Sequence, residues 1–169
     1  MKKIYISKSG ISGKGMFVGE DVKKGERIQY VDGKMKRKTF KSKEESSHAD
    51  DWIGIGHNVW IDPTGKPFQF INHSCAPNAA IVGKKTLIAL ADIPKDTEIA
   101  MDYSMTEIHD PFWKLKCACG AANCRRVIYP LFKTPAEVFA RHFPHIPPYF
   151  QRAFLRHYIS GSTADTGKA

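Results

Sequence analysis

Three closely spaced cysteines are the first residues in this chain whose types and spacing could do chemistry. Cys117, Cys119 and Cys124 lie within eight residues, and thiolates at this density are typical of a metal site. A structural zinc site needs four ligands, and the remaining cysteine, Cys75, lies far away in the sequence. Because a Cys-x-Cys pair is also typical of redox chemistry, the spacing alone leaves a metal site and a redox pair open.

A short polar segment, Asn72-His73-Ser74, is the second candidate. Its amide, imidazole and hydroxyl groups suit a backbone that bends and forms hydrogen bonds, and they are poor residues for the interior of a strand. Cys75 closes the segment, and Pro77 with Asn78 turns the chain away. Taken alone, the segment indicates a polar turn after a buried strand. The candidate groups on both sides of it in the sequence favour a functional role.

The elements that must position these groups are predicted to be mainly short β-strands. Apolar runs separated by turn residues predict strands at residues 4–6, 16–18, 27–31, 79–82 and 87–91. Residues 32–51 are highly charged, which is typical of a solvated loop or a short helix. After the cysteines, the apolar pattern predicts helices, with Thr134 as a cap and a break at Pro147-Pro148.

The stretch from Asn72 to Asn78, Asn-His-Ser-Cys-Ala-Pro-Asn, resembles the Asn-His-Ser-Cys-x-Pro-Asn motif of SET-domain lysine methyltransferases. Three further matches follow the order of the family: Gly13-Lys14-Gly15, Asp102-Tyr103 and the cysteine cluster. The resemblance covers roughly residues 5–128. It implies a SET fold, which is mainly β with short helices and several small, mostly antiparallel sheets. A knot-like threading of the C-terminal part is also implied, with C-terminal helices added.

The resemblance also implies how the chain is divided. Residues 1–116 are expected to form the SET domain, with a variable insert at about 34–60, and residues 117–128 a zinc-binding post-SET segment. Residues 129–159 follow as a C-terminal helical extension. Residues 160–169 are small and polar and are predicted to be a disordered tail. The chain is therefore expected to be of the minimal SET plus post-SET type, without the pre-SET cysteine cluster of some relatives.

S-adenosylmethionine is the cofactor that the resemblance implies. Glycine allows a backbone to approach a ligand closely, and Gly13-Lys14-Gly15 matches the Gly-x-Gly loop of the family, with a simple tight turn as the alternative. The family motifs assign cofactor binding to Lys14, Gly15, Met16, Asn72, His73 and Tyr103. Tyr103 is also assigned a catalytic role, which is to orient the substrate amine. Tyr30 falls near a second active-site tyrosine of the family, and a packed strand aromatic is the alternative for it.

The implied reaction transfers methyl groups to the ε-amine of a lysine in a protein such as a histone. The amine must be neutral to accept a methyl group, and with a pKa of about 10.4 this costs roughly 4–5 kcal/mol at pH 7. A narrow, dry channel lowers that pKa by desolvation. The resemblance assigns Met101, Ile81 and Val127 to the channel. Met101 stands where the family has Phe or Tyr, and we expect this change to favour di- or trimethylation.

The resemblance supplies the fourth ligand of the candidate metal site. In the family, the cysteine of the Asn-His-Ser-Cys motif completes a zinc site with the post-SET cysteines. A structural zinc ion is therefore expected on Cys75, Cys117, Cys119 and Cys124, which are all the cysteines of the chain. Free thiols are the alternative. Such a site would have no open position for catalysis, and it would fix the C-terminal segment to the Asn72-His73 turn.

The net charge of +9 indicates attraction to nucleic acid, to a nucleoprotein or to an acidic protein surface. It would repel a basic histone tail unless acidic residues line the substrate groove. The sequence contains no signal peptide and no run of about 20 apolar residues. We therefore expect no membrane contact and an intracellular protein, either cytoplasmic or, in a eukaryote, nuclear and associated with chromatin.

Two other functions stay open from the sequence. A catalytically silent SET-like module could bind nucleic acid or nucleoprotein through its basic surface. Met101 and Val127 are compatible with that function, whereas the presence of Gly15, Asn72 and Tyr103 argues against a loss of activity. A small zinc-binding nucleic-acid protein would explain the charge and the cysteines but would leave the Asn-His-Ser segment without a role. Salt-dependent DNA binding without cofactor uptake would favour either alternative.

Overall fold

The computed structural model of the chain describes residues 1–49 and 51–164. Its strands are β1 (Ile4–Lys8), β2 (Lys14–Val18), β3 (Arg27–Tyr30), β4 (Lys34–Arg37), β5 (Ile53–Gly56), β6 (Val59–Asp62), β7 (Asn72–His73), β8 (Ala79–Val82), β9 (Thr86–Ala89), β10 (Glu98–Met101), β11 (Leu115–Lys116) and β12 (Val127–Ile128). Its α-helices are α1 (Lys43–Ser47), α2 (Ala136–His142) and α3 (Pro148–Ala164). Short 3-10 helices occur at Pro67–Phe70, Tyr103–Thr106 and Leu131–Lys133. Within these described residues, no helix is both long and apolar enough to cross a membrane.

The strands form small sheets with the orders β1-β2-β10-β7, β3-β9-β8, β4-β6-β5 and β11-β12. Their pairings are antiparallel except for β10 with β7, which run parallel with Ala100 opposite Asn72 and Met101 opposite His73. This parallel pair brings the polar segment beside the strand that leads into Tyr103. The predicted architecture, mainly β with small and mostly antiparallel sheets, is confirmed. The knot-like threading stays a prediction.

The main hydrophobic core lies between the sheets. The strands supply it with side chains such as Val18, Ile28, Ile61, Leu87 and Ile99, all of which are fully buried. Burial of one such side chain contributes about 1.5–3 kcal/mol. The predicted strands in these regions are confirmed within a few residues at their ends, because each supplies the apolar residues on which its prediction depended.

A second core joins the C-terminal helices to the rest of the chain. Met105 and Ile108, which lie directly after Tyr103 in the sequence, pack against buried residues of the C-terminal part: Leu131, Val138, Phe139, Ile146, Phe150 and Phe154. The rings of Phe139 and Phe154 stack at 4.0 Å between centroids, which fixes α2 against α3. The helical extension is therefore packed directly against the segment that carries the candidate tyrosine.

The charged insert differs from its prediction. Residues 34–37, which were expected to be a loop or a short helix, form strand β4 at the edge of a sheet, where β4 pairs with β6. The Lys36 ammonium lies 3.7 Å from the Asp62 carboxylate and 5.6 Å from the ring centroid of Trp52. Lysine stems can cover apolar surface while the charged ends stay in water. A strongly charged sequence can thus form an edge strand.

The C-terminal helices differ from the predicted ones at their ends. Thr134 does not cap α2, because its hydroxyl donates a hydrogen bond to the carbonyl of Pro130 at 3.3 Å and the helix begins at Ala136. The predicted break is confirmed, since α3 begins anew at Pro148. The helix continues to Ala164, so residues 160–164 are helical where a disordered tail was predicted. The rest of that predicted tail, residues 165–169, lies outside the described residues.

Candidate active site and metal centre

Two cavities meet at Tyr103 and Asp51, which line both of them. The larger cavity, of about 810 Å³, is lined by residues 11–12, Asp51, residues 72–73, Tyr103 and residues 115–119. The smaller one, of about 430 Å³, is lined by residues 51–53, Phe68, Gln69, Ile71, Met101, Tyr103, Thr106, Glu107 and Trp113. We call the first the large cavity and the second the channel. Tyr103 thus contributes to the wall of both cavities.

Tyr103 is held at both ends. Its phenol donates a hydrogen bond of 2.5 Å to the carbonyl of Ile71, and its backbone N–H donates one of 3.2 Å to Nδ1 of His73. Burial raises the pKa of the Tyr103 phenol well above its usual value, and the nearby carboxylates of Asp51 and Glu98 add to this effect. The phenol therefore stays neutral near pH 7 and acts as a hydrogen-bond donor of fixed direction.

His73 connects the tyrosine to the cysteines. Burial lowers its pKa to about 4, so the imidazole is neutral near pH 7. Because Nδ1 accepts the hydrogen bond from Tyr103, the ring proton is on Nε2, which faces the Cys75 sulfur at 3.3 Å. A neutral imidazole with both nitrogens engaged supports its neighbours through hydrogen bonds and is not placed to act as a general base.

Asn72 holds the loop between β1 and β2. Its side-chain nitrogen lies 3.1 Å from the carbonyl oxygen of Ser12, 3.0 Å from that of Lys14 and 2.8 Å from a carboxylate oxygen of Glu98. The hydroxyl of Ser9 also donates to Glu98, at 2.7 Å. One amide and one carboxylate therefore fix the Gly-x-Gly loop against β7 at the wall of the large cavity.

The predicted cofactor residues of this loop take different positions. Lys14 and Gly15 begin β2, and the Lys14 carbonyl contacts Asn72 as described above. The side chain of Met16 is fully buried in the main core. A contact from Met16 to a ligand would therefore have to come from its backbone, which is the kind of contact a Gly-rich loop provides.

The four cysteines converge, although Cys75 is distant in the sequence. Their sulfur atoms all lie within 4.8 Å of one another, with 3.9 Å between Cys75 and Cys117 and 3.6 Å between Cys117 and Cys124. Tetrahedral ligands at a Zn–S distance of about 2.3 Å have sulfur atoms about 3.8 Å apart. The donor set and its spacing therefore fit a closed structural zinc site.

Hydrogen bonds to sulfur also fit thiolates at this site. The N–H of Cys75 donates to the Cys119 sulfur and the N–H of Arg125 donates to the Cys75 sulfur, each at 3.4 Å. Burial opposes ionisation of Cys119, but hydrogen bonds from the backbone of Cys75 and Ala121 lower its pKa below the ordinary value of a thiol. Such N–H donors are the outer-shell partners that metal-bound thiolates need.

The channel has aromatic and apolar walls on one part of its surface and polar groups, from Asp51, Gln69, Thr106 and Glu107, on the rest. Trp52, Phe68 and Trp113 line it together with Met101, and Tyr103 lies where it meets the large cavity. Of these, sequence reasoning assigned only Met101 and Tyr103 to the site. Trp113 follows the Asp102-Tyr103 motif by ten residues and lies next to an exposed aromatic, Phe112. Two adjacent aromatics shortly before the cysteines were the one signal that could have identified it.

Glu107 is a buried carboxyl group in the channel lining. It accepts hydrogen bonds from the N–H groups of Asp110 (2.9 Å) and His109 (3.1 Å) and from the indole of Trp60 (3.4 Å). Burial nevertheless raises its pKa to about 7. With Asp51 it gives the channel two acidic groups, in a chain whose overall charge is positive.

Three predicted site residues are not brought to the channel. Tyr30 is 49% exposed, and its hydroxyl accepts a hydrogen bond from Arg27, so it lines neither the channel nor the large cavity. Val127 pairs with Lys116 in the β11-β12 hairpin and is likewise absent from the channel lining. Ile81 lies in a separate small cavity with Met101. These three positions were carried over from the family pattern, and only Met101 of the predicted channel residues lines the channel.

Known proteins were compared with this chain by sequence. Residues 13–104, just over half of the chain, match the model of the SET domain. Human histone-lysine N-methyltransferase 2D is 31% identical over 137 residues, which covers 73% of this chain and 2% of the human protein. The H3 lysine-4 specific histone-lysine N-methyltransferase of Schizosaccharomyces pombe is 31% identical over 139 residues, or 73% of this chain and 15% of that protein. The chain thus spans only a small part of the length of these relatives.

Solved structures show the same fold. The methyltransferase domain of human histone-lysine N-methyltransferase SETMAR superposes with a TM-score of 0.60 at 21% identity, covering 77% of this chain and 59% of that one. KRYPTONITE in complex with mCHH DNA, an H3(1-15) peptide and SAH superposes with a TM-score of 0.57 at 23% identity. The match covers 76% of this chain and 30% of that chain. With the family match over more than half of its residues, the chain belongs to the SET-domain family.

Proposed function

We propose that this chain is an S-adenosylmethionine-dependent protein-lysine N-methyltransferase. The observation that carries the proposal is the meeting of the large cavity and the channel at Tyr103. Group transfer between two ligands requires that their reacting atoms meet in a fixed geometry while the rest of each ligand is bound separately. The histone-lysine N-methyltransferases related to this chain support the same reaction class.

The large cavity is the proposed cofactor site. The part of it that a small ligand can occupy, about 310 Å³, is at the lower end of the range of small-molecule sites, and the loop fixed by Asn72 presents backbone at its wall. When bound, S-adenosylmethionine supplies an electrophilic methyl group. Lys14, Gly15, Met16, Asn72, His73 and Tyr103 are proposed to hold it, the first three through the backbone. The presence of SAH in the KRYPTONITE structure supports a ligand of this kind.

The channel is the proposed lysine site. Its aromatic walls exclude water, and a dry environment lowers the pKa of a lysine amine. The neutral phenol of Tyr103 donates its proton to the carbonyl of Ile71, so its oxygen can accept a hydrogen bond from the amine. It is proposed to orient the amine in this way as positive charge develops on the nitrogen. Asp51, together with the ionised fraction of Glu107, whose pKa is about 7, meets the requirement that acidic residues offset the positive charge of the chain. Met101 in the wall, without a hydroxyl group to hold a water, supports our proposal of di- or trimethylation.

Zinc is the proposed structural metal, held by Cys75, Cys117, Cys119 and Cys124. A site with four thiolates has no open position, so its contribution is to the fold rather than to the chemistry. Cys117 and Cys119 also line the large cavity. The metal site is therefore proposed to form one wall of the cofactor site, which explains why both sites occur in the same region.

A histone or another basic protein is the proposed substrate. The names of the relatives specify histone lysine, and KRYPTONITE was solved with a histone H3 peptide and DNA. In a host with chromatin, such a substrate would require the protein to reach the nucleus. We also propose contact with nucleic acid or nucleoprotein through exposed lysines, such as Lys34 in β4 at a sheet edge.

Transfer of labelled methyl groups from S-adenosylmethionine to histones and host-cell lysate tests the proposal. The wild type is expected to transfer label, and Tyr103→Phe, which lacks only the hydroxyl, is expected to lose it by about 100-fold or more. Tyr30→Phe is the matched control and should keep activity, because Tyr30 lines neither the channel nor the large cavity. Folded, zinc-loaded protein that neither binds the cofactor nor transfers label would refute the proposal. Salt-dependent DNA binding by such protein would favour the silent module.

A further inference from the structure

His142, in helix α2 of the C-terminal extension, reaches the residue next to Tyr103. Its Nε2 atom lies 3.4 Å from Oδ2 of Asp102, and both side chains are buried. Neither of these two atoms has a hydrogen-bond partner among the described residues. A buried polar atom without a partner costs about 1–3 kcal/mol, and more when it is charged. Each of these two atoms is therefore the natural partner of the other.

The other groups around Asp102 leave Oδ2 to His142. Arg125 contacts Oδ1 at 2.6 Å, and the N–H of Ser104 donates to Oδ1 at 3.1 Å. His73 lies 3.7 Å from Oδ1, but its nearest nitrogen already accepts the hydrogen bond from Tyr103. Burial alone would raise the pKa of Asp102, but His142 and Arg125 lower it, so the carboxylate is charged. One carboxylate oxygen thus has two donors, and the other faces only the imidazole of α2.

The side chain of Asp102 fixes the backbone conformation at Tyr103. It occupies the cap position of the short helix Tyr103–Thr106, where its side chain accepts from the N–H of Ser104. Rotation of this carboxylate would release the cap and change the direction in which the phenol points. Because the phenol makes its hydrogen bond at 2.5 Å to a single carbonyl, a small change in direction is enough to break that contact.

We propose that His142 is a positioning residue for Tyr103, acting through Asp102. This inference rests on the proposed methyltransferase function. The C-terminal extension is then part of the active site, because the imidazole of His142 in α2, 3.4 Å from the second oxygen of the carboxylate, would hold that oxygen in place. The packing of Met105 and Ile108 against the same helices supports this role, since it fixes the other end of the segment that begins at Tyr103.

A purely structural role for His142 makes a different prediction. If the imidazole only fills space in the core, then any buried residue of α2 should have a similar effect when it is shortened. Val138 is buried in the same helix and packs in the second core, and as an aliphatic side chain it can neither donate a hydrogen bond to Asp102 nor pair with its charge. Val138→Ala is therefore the packing control.

The test compares His142→Gln with His142→Asn in the zinc-loaded full chain. The amide nitrogen of Gln can reach the place of imidazole Nε2, whereas the same group in Asn is one methylene too short. His142→Leu, which fills the space without a donor, gives the same information as Asn if the Asn variant does not fold. The measurements are kcat, the KM of the cofactor, thermal stability, and the NMR signal of the Tyr103 ring carbon in ring-labelled protein. Tyr103→Phe assigns that signal among the six tyrosines.

We expect Asn or Leu to lower kcat roughly 10- to 100-fold and to shift the Tyr103 signal, with the KM of the cofactor changed less than about twofold. His142→Gln should keep most of the wild-type kcat and nearly the wild-type Tyr103 signal, and Val138→Ala should leave kcat and the signal unchanged. The proposal is overturned if Asn or Leu keeps the wild-type kcat and signal, or if Val138→Ala reproduces their effects. If the wild type transfers no methyl groups, the proposed function fails, and the Tyr103 signal still decides whether His142 positions the tyrosine.

Discussion

Gly15 and Glu98 lie so close together that a Cβ atom added at residue 15 would overlap the carboxylate of Glu98. That carboxylate accepts hydrogen bonds from Ser9 at 2.7 Å and from Asn72 at 2.8 Å. The lack of a side chain at residue 15 is therefore what allows Glu98 to hold the loop against β7. The glycine that the family motif identified is needed for a close approach within the protein as well as for any approach to a ligand.

Gly15→Ala is expected to weaken cofactor binding roughly tenfold, with little loss of fold. The end of the Glu98 side chain can move away, but Ser9 and Asn72 then lose an acceptor, and each such hydrogen bond contributes about 1–2 kcal/mol. Isothermal titration with S-adenosylmethionine gives the affinity. Gly10→Ala in the same loop is the control, because a Cβ atom there meets nothing within 4 Å. Equal affinities for the two variants would contradict the assignment of this loop to the cofactor.

Trp113 and Val127 distinguish the observed channel from the one expected from the sequence. Trp113→Leu is expected to lower kcat/KM for a lysine peptide about 10-fold or more, because the amine loses an aromatic wall that excludes water. Val127→Ala should stay within about twofold of the wild type. Peptide kinetics, with thermal melting to correct for stability, measure both. A larger effect at Val127 than at Trp113 would support the assignment of Val127 to the channel that the family resemblance implied.

Glu107→Gln is expected to change the pH dependence of stability. The pKa of Glu107 is about 7 in the folded protein and 4.5 as the reference value. The folded state therefore holds the proton more tightly, and stability falls as the pH rises from the lower value to the higher one. Between pH 5 and pH 8 the wild type should lose about 2–3 kcal/mol of unfolding free energy relative to the Gln variant.

Urea denaturation at pH 5, 6, 7 and 8 measures this difference, because groups other than Glu107 titrate alike in the two proteins. Glu44→Gln is the control, since Glu44 is exposed and should give a difference that does not vary over this range. Parallel curves for wild type and Glu107→Gln would mean that Glu107 is ionised throughout. That result would also remove the reason to treat it as a neutral group near pH 7.

Removal of zinc is expected to lower both stability and cofactor affinity. A chelator should release one metal ion per chain and lower the melting temperature by roughly 10 °C or more, since metal binding is coupled to folding. Cofactor binding should weaken as well, because Cys117 and Cys119 line the large cavity. Elemental analysis measures the released metal, thermal melting measures the stability, and titration with S-adenosylmethionine measures the cofactor affinity. Chelator saturated with zinc is the control. Four thiols that react freely in metal-free, fully folded protein would contradict the site.

The sequence identified the parts of the site that are set by local motifs. Asn72, His73 and Cys75 belong to a short run of unusual residue types, whereas Tyr103 was assigned only through the family motif. Their convergence depends on the parallel pairing of β7 with β10. Single-sequence patterns do not predict that pairing, because parallel neighbours are distant along the chain.

Other site residues could not be predicted from the sequence, for physical reasons. Glu107 and Trp113 line the channel because of the path of the chain after Tyr103, and neither residue type signals this position. Tyr30 was assigned from the family pattern, and its exposed side chain lines neither the channel nor the large cavity. His142 escaped notice because a histidine in an apolar helix is more often simply packed in the core.

The large cavity is built from residues 11–12, 72–73 and 115–119, which come from the beginning, middle and late parts of the chain. During synthesis, the ribosome releases the first and second of these segments long before the third. The nascent protein therefore has no complete ligand site until its C-terminal part has emerged. A product that ends before residue 115 would lack one wall of the large cavity and would expose Met105 and Ile108, which the C-terminal part covers, so it would be a target for proteolysis.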